Sequence, residues 1–419
     1  MARTLTAFVV LLFAMAEAIA QVPFEKVVAD LGSPDPNTRF HAVRLLRDSA
    51  YPESALPLAP LLNDPLDEIQ LETISAELNI FLTEKGMSRR RVALIVEVRD
   101  RIDGEEVFSR GPFVLTADPV PPAVFTALLG AVADPNPEVA RDALYAFGIL
   151  SANPAGAARH ALLAEALPHL SRLLSSRQGT AQTDVVRVIG RAYARQPGDP
   201  PIDQALGDGL VNMLNVEGPT REATMIALGA MRYERGVAAL LDLSSFYGQS
   251  DLGTTALGAL ARIAHPSSLA RFLEERSNRE RERRRAAIEG IVRLGNPERL
   301  KDIEAAVVGD QEPRLNLAVS YARSALGRGR IEPIVEGIPR LADQALEYLV
   351  DLAPARTAEL VVQLTSPHPD VRRVVADALG YAGDASAIQA LEALRVDVEP
   401  VVANAGARAA ARLRQRSLR

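Results

Sequence analysis

The feature that most constrains the fold of this 419-residue chain is a turn followed by one amphipathic helix, at Thr365–Asp384. Pro367 and Pro369 prevent a preceding helix from continuing, because proline lacks an amide donor and its ring clashes with the previous turn. Apolar residues then recur with the 3.6-residue period of a helix, at Val371, Val374, Val375, Ala378 and Leu379. Gly383 follows and is expected to end the helix in the left-handed conformation of a C-terminal cap.

Looser copies of this segment recur along most of the chain. The small or apolar residue at its packing position falls at 229, 261, 292, 322, 350 and 380, so the steps are 32, 31, 30, 28 and 30 residues. Ala133–Gly148 is a close copy further upstream, and Ser33–Leu46 and Asn63–Leu78 are two more. A fixed period near 30 residues is typical of a solenoid, in which each unit buries its apolar face against its neighbours.

The order of residues in Pro369–Gly380 is proline, acidic, valine, arginine, alanine at helical spacing, then Leu-Gly. This order resembles the second helix of a HEAT repeat, and in particular the HEAT-like repeats of the phycobilisome-lyase type. The resemblance covers about four-fifths of the chain and implies an armadillo-like helical fold. We therefore expect an all-α, right-handed α-solenoid of about ten to twelve HEAT-like helix pairs. HEAT arrays serve many unrelated roles, so the resemblance implies little about function.

The N-terminal residues predict export. Arg3 precedes an apolar run at Leu5–Ala16, and small residues at Ala18 and Ala20 provide a cleavage site after Ala20. Residues 1–20 are thus expected to be a signal peptide of a periplasmic or secreted bacterial protein, with no stable membrane insertion after cleavage. The alternative is an uncleaved N-terminal membrane anchor. The chain contains no cysteine, which excludes disulfides and thiol chemistry.

The repeat pattern divides the rest of the chain into four parts. Residues 21–84 are predicted to be N-terminal HEAT-like repeats, residues 123–195 central repeats, and residues 202–419 regular repeats that end in a capping helix. Residues 85–122 interrupt the pattern and are predicted to form an irregular insertion, extended at Val107–Leu115, with a short hairpin or an extra helix as alternatives. Insertions in solenoids often gather on one face. This insertion is therefore a candidate contact surface; the alternative is a disordered or merely decorative loop.

The residue types needed for catalysis do not occur in productive patterns. The five histidines, at 41, 160, 169, 265 and 368, include no pair at the helical spacing that a metal site needs. His265 and His368 lie next to prolines, and we expect both to be solvated or to cap helices. The sequence has no Gly-x-Ser-x-Gly elbow and no phosphate-binding glycine loop. We therefore predict no catalytic residue, no metal and no cofactor.

Arginines recur at one position of the repeat, at 39, 221, 284, 314 and 372. They can form a basic ladder on the concave side, which makes Arg221, Arg284, Arg314 and Arg372 candidate partner contacts. The alternative is a structural role, because HEAT repeats have an arginine here that bridges to an acidic residue of the next unit. The charged run Glu274–Arg285 is similarly either a basic edge or a solvated helix face with local ion pairs.

Together these features predict a non-catalytic exported scaffold that binds a protein or peptide along a concave surface. The resemblance leaves open a tetrapyrrole-handling protein similar to the bilin lyases, which the export signal disfavours. A nucleic-acid-binding HEAT-like protein is a further alternative. The net charge of −6 and the pI near 5.6 oppose it, so no nucleic-acid partner is expected.

Overall fold

The computed structural model describes residues 23–84, 104–110, 113–307 and 312–417. The predicted signal peptide, its cleavage after Ala20 and the first half of the predicted insertion lie outside these ranges. The boundaries assigned to the parts of the chain stay predictions.

The described residues form helices almost throughout. The α-helices are α1 (Phe24–Asp30), α2 (Pro36–Ser49), α3 (Ala55–Leu58), α4 (Asp67–Phe81), α5 (Gly104–Arg110), α6 (Pro122–Ala131), α7 (Pro137–Leu150), α8 (Gly156–Ser176), α9 (Gly179–Ala192), α10 (Gln204–Met213), α11 (Pro219–Ala230), α12 (Val237–Phe246), α13 (Asp251–Ile263), α14 (Leu269–Glu275), α15 (Arg281–Arg293), α16 (Leu300–Val307), α17 (Pro313–Ala325), α18 (Glu332–Gln363), α19 (Pro369–Ala382), α20 (Ile388–Ala393) and α21 (Pro400–Ser417). Two short strands are β1 (Leu82–Glu84) and β2 (Phe113–Leu115).

Prolines and short polar residues set the helix starts, as the repeat segment predicts. Proline occupies the first helical position of α2, α7, α11, α17 and α19, where its missing amide costs nothing. Before α2, the Asp35 carboxylate accepts hydrogen bonds from the amides of Asn37 and Thr38, at 3.3 and 3.1 Å. The expected cap at Gly383 is wrong in detail. Gly383 has φ −65° and ψ 174°, so it ends α19 in an extended conformation.

The long helix α18 contains three helical segments separated by kinks. The backbone leaves helical geometry at Leu341 (φ −138°) and Arg356 (φ −129°). Each kink lies two residues after a proline, Pro339 or Pro354. Proline has no amide hydrogen, so it cannot donate the helical hydrogen bond to the carbonyl four residues earlier. The first and last segments act as first helices of two successive pairs, and the middle segment acts as a second helix. With this division, the described residues form eleven helix pairs, and the prediction of an all-α solenoid is confirmed.

The second helices of successive pairs pack directly against one another and line the inside of the curve. Small residues permit this close approach. A methyl group added at Gly190 would lie 2.7 Å from the Ala227 Cβ, and one added at Gly380 would lie 2.7 Å from the Ala409 Cα. The repeat position that set the 30-residue period is therefore a helix–helix contact, at which a larger side chain would push the inner helices apart.

The segment around the predicted insertion contains both a helix and a strand pair. β1 and β2 are antiparallel, with Leu82 opposite Leu115. The expectation that residues 107–115 are extended is wrong for residues 107–110, which belong to α5, and correct for β2. Glu105 in the first turn favours a helix here, since its charge complements the helix dipole.

The C-terminal helix returns to the middle of the chain. The Ala155 amide donates to the Gln415 Oε1 at 2.9 Å, and the Arg408 Nη1 donates to the Leu115 carbonyl at 3.0 Å. A methyl group on Gly156 would lie 3.0 Å from the Arg416 Cα. Helix α21 therefore does more than cap the array as predicted, because it closes a full turn of the superhelix against α8.

Candidate functional site

A cleft of about 740 Å³ opens on the inner face between α13, α15, α17 and the first kink of α18. We call it the inner cleft. Its charged lining residues are Arg262, Arg285, Arg293, Arg314, Arg340, Glu282, Glu289, Asp343 and Glu347. The cleft therefore has five basic and four acidic side chains, and its local charge is slightly positive although the whole chain is acidic.

Arg293 lies at the centre of an ion-pair network along one wall of the inner cleft. Its side chain is 6% exposed, and its Nη2 and Nη1 lie 2.7 and 3.1 Å from carboxylate oxygens of Glu347 and Asp351. Its Nε is 2.5 Å from Glu289. Burial opposes the charged form of Arg293, but the three carboxylates outweigh burial and raise its pKa.

Two stacked tyrosines support this network. The rings of Tyr321 and Tyr348 are 4.3 Å apart with a 12° interplanar angle, and the Tyr348 hydroxyl donates to Glu289. Burial, with the nearby charge of Asp351, raises the pKa of Tyr321 to about 12. Burial and Glu289 also raise the pKa of Tyr348 well above its usual value. Both phenols are therefore neutral near pH 7 and serve as hydrogen-bond donors rather than as bases.

The same carboxylates join inner helices that are distant in sequence. Arg262 of α13 lies 3.4 Å from Glu347, and Arg232 after α11 lies 3.2 Å from Asp351. Residues 232 and 351 are 119 positions apart, so the superhelix is wound tightly enough to bring the C-terminal ends of its inner helices together. These pairs link Arg232 and α13 to the middle segment of α18.

Two arginines of the inner cleft are unpaired among the described residues. The guanidinium groups of Arg314 and Arg340 are exposed, and within the described residues neither makes a hydrogen bond or an ion pair. Arg314 belongs to the repeated arginines that the sequence singles out. The repeat pattern does not predict Arg340, because this residue lies at the kink after Pro339, where the pattern is irregular. Pro339 is the sequence signal that marks this position.

Arg372 forms an ion pair within the array. Its Nε and Nη2 both lie 2.8 Å from the carboxylate of Asp397 in the next unit, and these hydrogen bonds lower the pKa of Asp397. Arg39 makes the same two-pronged contact with Asp64, also 25 residues further on. The identical offset at both ends of the array indicates a stacking contact of the repeat.

The other two predicted contact residues also use their side chains within the molecule. Arg221 donates to the Leu214 carbonyl at 2.7 Å and to the Tyr247 hydroxyl in the next unit. Arg284 donates to the Asn278 carbonyl at 3.1 Å, and its Nη2 is 3.8 Å from Glu312. The four predicted arginines are thus not brought together as one ladder, and Arg314 is the member that faces the inner cleft unpaired among the described residues.

The charged run at residues 274–285 combines exposed side chains and local ion pairs with one buried arginine. Arg283 is fully buried, and its Nη2 lies 2.6 Å from Glu275. Arg283 lowers the pKa of Glu275. Arg271 contacts the same carboxylate at 3.0 Å. The Arg283–Glu275 pair thus joins α14 to α15, whereas Arg285 pairs with Glu282 of its own helix, as expected for a solvated face with local ion pairs.

Within the described ranges, no cluster of three or more histidine, aspartate or glutamate side chains could hold a metal ion. His265 instead accepts a hydrogen bond from the Ser267 amide at the start of a short turn. No helix of the same ranges is long and apolar enough to cross a lipid bilayer.

No family model matches the chain, and no curated protein matches it either. Among solved structures, it is similar to an engineered protein from the Northeast Structural Genomics Consortium, with 19% identity, a TM-score of 0.44, and coverage of 93% of this chain and 98% of that one. A computationally designed armadillo repeat protein for modular peptide recognition has 18% identity, a TM-score of 0.37, and coverage of 57% and 99%. A further designed armadillo repeat protein has 17% identity, a TM-score of 0.36, and coverage of 64% and 98%. The helix pairs described above therefore carry the assignment: this chain is an all-α helical repeat protein.

Proposed function

We propose that this protein is a non-catalytic, exported scaffold of the HEAT type that binds an acidic segment of a protein or peptide in its inner cleft. The observation that carries the proposal is the pair Arg314 and Arg340. Both guanidinium groups line one cleft, both are exposed, and neither has a partner among the described residues.

The charges of the inner cleft favour an anionic ligand. Arg262 and Arg293 are neutralised by Glu347 and its neighbours, and Arg285 by Glu282 and Glu312. Among the described lining residues, Arg314 and Arg340 remain unpaired against one unpaired carboxylate, Asp343, so a net positive charge is left for a ligand. A guanidinium presents a planar set of donors that matches a carboxylate in a two-pronged contact, so two side-chain carboxylates of one segment would satisfy both groups.

The position of the inner cleft favours a polypeptide over a small molecule. Inner helices of three successive units and a kinked helix form its walls. A solenoid presents such walls as an extended curved surface, which suits a chain that runs across several units. The Tyr pair in the wall is neutral, and Glu282, Glu289 and Glu347 are each paired with an arginine, which supports a binding role.

Binding of a fluorescein-labelled octaglutamate probe, followed by anisotropy at low salt, tests this function. Replacing Arg314 and Arg340 together by alanine should weaken binding roughly 10- to 30-fold, because each exposed charge contact contributes about 1 kcal/mol. Arg328→Ala is the matched control, since Arg328 is exposed and lies outside the inner cleft. Equal affinity of the wild type and the double variant would refute the proposed site.

Export is proposed on the N-terminal sequence pattern. N-terminal sequencing of the protein recovered from a periplasmic fraction should begin at Gln21. Recovery of the intact N-terminus in a membrane fraction would favour an uncleaved anchor instead.

A further inference from the structure

A second part of the inner face is occupied by the chain itself. Helix α5 lies across α7, and the ring of its Phe108 enters the gap between α7 and α9. A methyl group on Gly148 would lie 2.9 Å from the Phe108 ring and 3.2 Å from Val188. Glycine at this position of α7 therefore leaves the space that the aromatic ring fills. We call this the Phe108 site.

Cationic and aromatic groups surround the ring in the Phe108 site. The Arg191 Cζ lies 4.8 Å from the ring centroid, and the Arg187 Cζ lies 5.4 Å from it. The ring of Tyr145 is 5.0 Å away at an angle of 54°. The negative face of an aromatic ring attracts a guanidinium cation. The site therefore favours an aromatic side chain over an aliphatic one.

The two arginines also hold the polar groups next to the ring. The Arg191 Nη1 donates to the Phe108 carbonyl at 2.8 Å, and the Arg187 Nη2 donates to the Ser109 Oγ at 2.8 Å. Contacts to a main-chain carbonyl and to one anchoring side chain are the means by which a surface holds a peptide of defined sequence.

Contacts between repeat residues hold part of the wall of the Phe108 site in place. The Tyr145 hydroxyl donates to Asp184 at 2.7 Å and accepts from the Arg187 Nη1 at 2.9 Å. These three residues belong to α7 and α9, not to α5. Tyr145 and Arg187 are therefore positioned by the array, while Arg191 makes its hydrogen bond with α5. Helix α5 has only seven residues, fewer than an isolated helix needs for stability in water.

The groove continues beyond α5. A cleft of about 670 Å³ lies between α7 and α9, with Glu105 of α5 at its edge and Leu144, Leu173 and Val185 among its apolar walls. Arg141 also lines it, 3.6 Å from Glu105. This space is adjacent to the Phe108 site and is large enough for further residues of a bound segment.

We propose that the Phe108 site is an anchor site for a partner peptide, and that α5 is an intramolecular occupant which the partner displaces. The partner has the chemistry of α5: a phenylalanine, an acidic residue three positions before it and a small polar residue after it. This proposal extends the inner-face peptide binding proposed above, but it concerns a different surface from the inner cleft of Arg314 and Arg340.

A fluorescein-labelled peptide with the sequence of residues 104–110, added to the full chain, tests the proposal. In the wild type, α5 competes from a high effective concentration, so the added peptide should bind weakly. Phe108→Ala in the chain vacates the site and should tighten peptide binding by at least about tenfold. Alanine in place of phenylalanine in the peptide should abolish this gain, and Arg191→Gln in the Phe108→Ala chain should reverse it.

The controls separate this site from the inner cleft. Replacing Arg314 and Arg340 by alanine in the Phe108→Ala chain should leave binding of this peptide unchanged. Equal binding to the wild type and to folded Phe108→Ala protein would overturn the proposal while leaving the inner cleft untouched.

A second variant covers the case in which Phe108→Ala does not fold. The substitution Arg191→Gln keeps the ring but removes the hydrogen bond to the Phe108 carbonyl, and it leaves the contact between Arg187 and Tyr145 intact. Amide hydrogen exchange should then rise in residues 104–110 and stay unchanged in α7 and α9. An equal rise in all three helices would show that α5 is an inseparable part of the fold, and the displacement proposal would be wrong.

Discussion

Replacing Arg293 by methionine tests whether the ion-pair network holds the inner helices together. Methionine keeps most of the volume, so the change removes the charge without opening a large cavity. Removing one partner of a buried pair costs about 3–5 kcal/mol. The acidic partners here are partly exposed, with Glu347 at 47% and Asp351 at 21%, and water will screen part of that cost. We therefore expect a loss of about 2–3 kcal/mol.

A local measurement is required, because a solenoid unfolds unit by unit and a single global transition is not assured. Amide hydrogen exchange in the middle segment of α18 should accelerate by roughly 30- to 150-fold, since 1.4 kcal/mol corresponds to a factor of ten. Arg330→Met is the matched control, because Arg330 is 81% exposed and its pair with Glu332 lies at the surface. Exchange in α18 that changes no more for Arg293→Met than for the control would refute the reasoning.

Three further outcomes follow from the structure. Gly380→Leu should destabilise the C-terminal units by about 1–3 kcal/mol, because the added side chain meets the backbone of the next inner helix. Gly258→Ala places its methyl group in open space and should not destabilise the protein, and thermal unfolding measures both variants. Hydrogen bonds lower the pKa of Asp208 from 3.8 to about 2. The stabilising contribution of its carboxylate should therefore be complete above pH 3.8 and disappear as the pH falls towards 2. Acid unfolding of Asp208→Asn beside the wild type measures this loss. Cysteines at Ala155 and Gln415 should be cross-linked by a short bis-maleimide, since the native chain has no cysteine and α21 closes onto α8.

The cross-link has a matched control. Cysteines at Asp377 and Arg408, whose side chains lie 2.6 Å apart on adjacent inner helices, should react whether or not the superhelix is closed. Cross-linking of this pair without the 155–415 pair would show an open array. If Asp208→Asn unfolded in acid in parallel with the wild type over the whole range, the assignment of the low pKa would be wrong.

The sequence predicted the parts of the fold that depend on local pattern. The 30-residue period and the proline-led helix starts are sufficient for an array of helix pairs, and the glycines at positions such as 190 and 380 mark where inner helices touch. The alternative structural role of the repeated arginines also follows from the period, because Arg39 and Arg372 each meet a carboxylate 25 residues further on.

The sequence could not predict the parts that depend on curvature. Each unit turns slightly relative to the last, and only the accumulated turn brings Arg232 to Asp351 or Ala155 to Gln415. No local sequence pattern predicts the accumulated turn of the units. Likewise, Arg340 lies at a proline kink outside the period. The extended prediction for residues 107–110 was wrong because packing of Phe108 against α7 and α9 stabilises a helix there.

The central claim is that an acidic segment binds inside the curve of the solenoid and not on its outside. A benzophenone amino acid at position 343, in the inner cleft, or at position 242, on the outer helix α12, tests it directly, because both positions are exposed aspartates. On irradiation with the octaglutamate probe, the position 343 variant should form a covalent adduct that unlabelled probe suppresses, and the position 242 variant should not. Equal labelling at both positions, or labelling at position 242 alone, would contradict binding on the inner face.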